Sequence, residues 1–60
     1  MTPHDKIRHA IIAEGNGGLH TDEIVYATGL PITKVRLTLA AMLAASSVIE
    51  CEPGCWMVAT

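Results

Sequence analysis

Gly29-Leu30-Pro31 divides two helical stretches at a point where neither can run on. Glycine ends a helix at little cost, and the residue before a proline is pushed out of helical space. Around this break stand Ile24, Gly29 five residues on, Val35 six further, and then Leu39. That is the spacing of a helix-turn-helix, in which the glycine makes the tight turn and a β-branched residue locks the second helix onto the first. Val25 stands four before the glycine, where a small alanine is usual, and it crowds the crossing.

The flanks extend the pattern. Thr2-Pro3-His4-Asp5 is a helix start: Thr2 can cap, Pro3 suits the first helical position, and Asp5 stands three after the cap. Ile7, Ala10 and Ile11 follow at helical spacing as a buried stripe. The glycine-rich run 15–18 ends this helix. The same run could cradle a phosphate, but no strand precedes it and no Lys-Ser/Thr follows, so a nucleotide loop is set aside. Leu19-His20 reads as a short extended link, and Thr21 as the cap of a second helix with Asp22 and Glu23 in its first turn. Ile24, Val25 and Ala27 are expected to point inward. A third helix is predicted over about 32–45, with Val35, Leu39, Met42 and Leu43, flanked by Ile32 and Ser46, within one arc of its wheel. Residues 48–59 read as two strands around Pro53-Gly54. The expected fold is mainly α with a small β-hairpin: a winged helix-turn-helix of three helices and a two-stranded wing.

Sixty residues make one domain, 1–60. A chain so short buries only about 60% of what it exposes unfolded. Half its residues are apolar and its mean hydropathy is +0.37, so apolar side chains must remain outside. A homodimer or a larger protein partner is the expected cover. The apolar run 39–45 is far short of the roughly 20 residues that span a bilayer. The start has no basic-then-apolar signal pattern, so no membrane association and a cytoplasmic location are expected.

The stretch Gly18-Leu19-His20-Thr21-Asp22-Glu23-Ile24, then Thr33-Lys34-Val35-Arg36-Leu37-Thr38-Leu39, then Trp56 near the end, resembles the small winged-helix regulators of fimbrial operons. The likeness covers about residues 5–58. It implies bacterial or phage origin, DNA binding and transcriptional control, with Arg36 at the family's recognition-helix arginine and Lys34 at its polar predecessor. Val35 departs from a small alanine, Leu37 from an aromatic residue, and the wing carries no base.

Charge limits this reading. The net charge is −2; residues 11–30 carry only Glu14, Asp22 and Glu23, residues 31–48 only Lys34 and Arg36, and residues 49–60 only Glu50 and Glu52. DNA affinity is largely phosphate neutralisation, so the cationic footprint is small and the acidic wing has the wrong sign. A dimer doubles the cations. The N-terminal residues of a recognition helix reach base edges. Thr33, Lys34, Arg36 and Leu37 are therefore the expected DNA contacts, with Arg36 able to grip a guanine by two parallel bonds. Leu37, Ala40, Ala41 and Ala44 form a smooth apolar strip that suits a protein contact instead. Two functions stand side by side: a small regulator of double-stranded DNA, and a winged-helix protein-interaction module such as a phage or plasmid protein that docks on a host factor.

His4, Lys6, Arg8 and His9 crowd the first helix, as a solvated face or as a phosphate-contacting patch. Cys51 and Cys55 are either two reduced thiols or, across a loop of residues 52–54, a facing pair able to oxidise. A zinc site needs two more ligands, and His4, His9 and His20 are scattered in sequence; no metal and no cofactor are expected. Trp56 reads as the hairpin's anchor, with exposed stacking as the alternative. No nucleophile–base set and no room for a deep cleft are apparent, so no enzyme is expected.

Overall fold

The computed structural model describes residues 2–59, the side chain of Asn16 excepted; Met1 and Thr60, the ends of the expected domain, lie outside them. Helix α1 spans Pro3–Glu14 and begins as its sequence requires: Thr2 Oγ1 accepts the Asp5 N–H at 3.2 Å, with Pro3 in the first turn. A short 3-10 turn, Gly15–Gly17, leads into strand β1, Leu19–His20, and then directly into helix α2, Thr21–Thr28. Helix α3 spans Ile32–Ala44, and strands β2, Val48–Glu52, and β3, Cys55–Val58, close the chain.

Among the described residues the fold is mainly helical, with three helices and a small antiparallel sheet of three strands rather than two. The stretch expected as an extended link is a strand: Leu19 pairs with Trp56 and His20 with Cys55, so the order is β1-β3-β2. Two residues carry no alternation of their own. The pairing comes from β3, which would otherwise present an open edge beside the helices.

Ile7 and Ile11 of α1, Leu19, Ile24 of α2, Val35, Leu39 and Met42 of α3, and Val48 form one buried cluster. Ala10, Val25, Leu30, Trp56 and Val58 pack on its margin. Two expectations about facing need correction. Ala27 is exposed rather than inward, because Ile24, with Val25 on the margin, makes the α2 contact with the core. Leu43 is 41% exposed and Ser46 is exposed, because α3 turns a narrow Val35–Leu39–Met42 seam to the core and the next residue on the wheel faces out.

The second helix starts one residue earlier than expected. His20 is the cap residue, its N–H donating to Glu23 Oε1 at 3.1 Å, while Thr21 is the first helical residue. Thr21 is thereby released for a tertiary role. Its N–H donates to the Gly54 carbonyl at 3.1 Å, and its Oγ1 accepts the Trp56 indole N–H at 3.0 Å. This ties the turn of the hairpin to the start of α2.

The α2–α3 break forms as the sequence dictates. Gly29 takes a left-handed conformation, φ 73° and ψ 9°, and its N–H donates to the Val25 carbonyl. Thr28 Oγ1 donates to the Ile24 carbonyl and accepts the Leu30 N–H, which stitches the turn to α2. Among the described residues no helix is long and apolar enough to cross a membrane.

Candidate nucleic-acid interface

Val35, Leu39 and Met42 fix the rotation of α3 by filling the core, so the opposite face is set without further choice. Thr33, Lys34 and Arg36 are all exposed in its first turn and a half. Leu37 follows them at 71% exposure, and Ala40, Ala41 and Ala44 continue an exposed apolar strip. Every residue expected at a DNA or protein contact thus stands on the outer surface of one helix. Lys34, Leu37 and Ala41 line one wall of an open groove of about 510 Å³, whose other wall is Thr2, Pro3 and His4 at the start of α1.

The basic residues of α1 are dispersed. His4 faces that groove, whereas Lys6 and His9 border a second groove of about 550 Å³ against α2, floored by Ala10, Ala13 and Leu19. All four, Arg8 included, are solvent-exposed except where they edge these grooves. The first helix therefore adds at most one imidazole to the α3 face.

The hairpin holds its two cysteines as free thiols, the first of the two alternatives. Glu52 pairs with Cys55 around a two-residue Pro53-Gly54 turn, and an irregularity between Glu50 and Glu52 takes up Cys51. Gly54 sits at φ 82°, the conformation that the third position of such a turn needs. The direct cross-strand partner of Cys55 is therefore Glu52, while Cys51 stays beside it, its Sγ donating to the Cys55 carbonyl at 3.5 Å. Both thiols are free, Cys51 exposed and Cys55 buried. The Cys55 thiol is pushed up to about 11, first by the hydrogen bond with the Cys51 side chain and then by burial. Glu50 is occupied as well, its Oε2 accepting the Gly54 N–H at 2.9 Å. Trp56 is half-buried on the core margin, in keeping with an anchor.

Sequence reasoning missed three things here: the Thr21–Trp56 tie, the Glu50 clasp on the turn, and the approach of His20 to the hairpin. The last follows from the β1–β3 pairing, which sets His20 opposite Cys55. The donor atoms of His20, Glu52 and Cys55 lie within 4.8 Å of one another.

No family model, curated protein or solved structure matches the chain.

Proposed function

We propose that this chain is a winged helix-turn-helix regulator that binds double-stranded DNA through α3, acting as a dimer in the cytoplasm. In this reading α2, the Gly29–Pro31 turn and α3 are the helix-turn-helix, and the β2–β3 hairpin is the wing. The observation that carries it is the exposure of Thr33, Lys34 and Arg36 together on the first turns of the helix that follows the turn. The exposed Leu37, Leu43, Ile12 and Ile49 support self-association, since a partner removes apolar surface that the small core leaves out.

A second reading has its own support. The strip Leu37, Ala40, Ala41 and Ala44 offers no hydrogen bonds, and Glu50 and Glu52 on the hairpin would repel a phosphate backbone. Both favour a winged-helix module that docks on protein.

The test is selection of bound duplexes from a random pool, followed by fluorescence-anisotropy titration against selected and random DNA. Arg36→Ala should abolish the discrimination between them. Lys34→Ala should weaken both and flatten the salt slope by about one unit. No enrichment, with no binding to the pool at low salt, would reject the regulator.

A further inference from the structure

His20, more than thirty positions away in the chain, joins Glu52 and Cys55 of the hairpin in one row across the sheet. His20 of β1 and Glu52 of β2 are both direct cross-strand partners of Cys55 in the central strand β3. Directly opposed residues of antiparallel strands project from the same face. The register alone therefore brings an imidazole, a thiol and a carboxylate together, with their donor atoms within 4.8 Å of one another. The ligand atoms of a tetrahedral zinc stand about 3.5 Å apart, given bonds of about 2.0–2.3 Å. His20 and Glu52 are exposed side chains on the surface of the sheet, while Cys55 is buried.

The surroundings fit a cation. The Cys55 Sγ occupies a slot left by Gly18, where an added Cβ would stand 3.0 Å from the sulfur. Gly18 has φ 74° and ψ −179°, so the chain spends a backbone conformation open only to glycine at the point where the thiol is seated. Glu23 brings a second carboxylate to the corner, bound to the His20 N–H. The Glu50 clasp on the Gly54 N–H and the Thr21 N–H bond to the Gly54 carbonyl hold the turn that carries Glu52 and Cys55.

We propose that His20, Glu52 and Cys55 form a three-ligand site for a borderline divalent cation of the zinc class, with water in the fourth position. One nitrogen, one sulfur and one oxygen donor select zinc over magnesium or calcium, which take oxygen ligands only. Binding exchanges the Cys55 thiol proton for the metal: the S–H bond breaks, a metal–thiolate bond forms, and the proton goes to the buffer. The site joins all three strands, so the metal would brace the hairpin against the start of α2. Its existence does not depend on what α3 binds.

The test is titration of the reduced, chelator-treated chain with Co²⁺ and then Zn²⁺. We expect saturable one-to-one binding, intense tetrahedral Co²⁺ bands with a thiolate charge-transfer band, displacement by Zn²⁺, and a raised melting midpoint. His20→Ala and Glu52→Gln, both at exposed positions, should each weaken binding by about tenfold or more. Cys55→Ala should remove the charge-transfer band, with circular dichroism reporting whether that variant folds. Cys51→Ser changes a hydrogen-bond partner of Cys55 but removes no ligand, so it should retain one-to-one binding and the charge-transfer band. Absence of saturable binding overturns the proposal. So does binding that survives both His20→Ala and Glu52→Gln but is lost in Cys51→Ser, which would mark a two-thiol site.

Discussion

Trp56 donates its indole N–H to Thr21 Oγ1 at 3.0 Å, across 35 positions of the chain, and so fastens the central strand to the first residue of α2. A partly buried indole N–H without a partner costs about 1–3 kcal/mol. Thr21→Val keeps the shape and removes the acceptor. It should lower stability by about 1–2 kcal/mol in thermal or urea melts, with a shift in Trp56 emission. Thr21→Ser keeps the acceptor and should stay close to the parent. Equal stability of the valine and serine variants would show that the bond contributes nothing.

Gly18 and Gly29 both have positive φ, but they are not equivalent. Gly29 has ordinary left-handed geometry, and an added Cβ meets nothing within 4 Å. Gly18 lies in the glycine-only region, and its Cβ would press on Cys55 Sγ, Met57 Cγ and the Trp56 carbonyl oxygen, each at 3.0 Å. Gly29→Ala should cost about 1 kcal/mol, and Gly18→Ala about 3 kcal/mol or more, because a backbone oxygen cannot retreat as a side chain can. Urea denaturation of the two variants side by side checks the order.

The end of α3 offers the reverse experiment. The Ser46 N–H donates to the Leu43 carbonyl and the Ser47 N–H to the Met42 carbonyl, the paired bonds of a Schellman ending. Ser46 holds the left-handed position at φ 61°, where glycine is usual. Ser46→Gly should therefore raise stability by about 0.5–1 kcal/mol, read as a higher melting midpoint. A fall would mean that the serine hydroxyl contributes more than the strain removes.

The helices were legible because their signals are local. The Thr2-Pro3 start, the Gly29-Leu30-Pro31 break and the Pro53-Gly54 turn each dictate backbone geometry within a few residues. The seam Val35–Leu39–Met42 was readable from its period, and with it the exposure of Lys34, Arg36 and Leu37. What escaped was non-local. Leu19-His20 is too short to show alternation, so its pairing with β3 left no trace, and the His20–Cys55–Glu52 row went with it. The role of Thr21 is not legible in sequence, because its hydroxyl suits a helix cap as well as it suits the Trp56 indole. Leu43 was misjudged because an apolar residue beside a seam has no sequence mark to say that nothing covers it.

Leu37 separates the two proposed functions. It lies roughly 200° around the wheel from Val35 at 100° per residue, and it is 71% exposed. Replacing it with a charge should change stability by no more than about 0.5 kcal/mol. If α3 enters a major groove, Leu37→Glu should repel the duplex, whereas Leu37→Lys should preserve or strengthen non-specific binding. If the strip with Ala40, Ala41 and Ala44 docks on protein, both charges must be desolvated in an apolar contact, and both variants should lose the complex. Anisotropy with duplex DNA and sedimentation or pull-down for protein association, run on the two variants beside the parent, read the difference. A lysine variant that gains DNA affinity where the glutamate variant loses it supports the regulator; loss of a protein complex in both, with DNA binding absent throughout, supports the docking module.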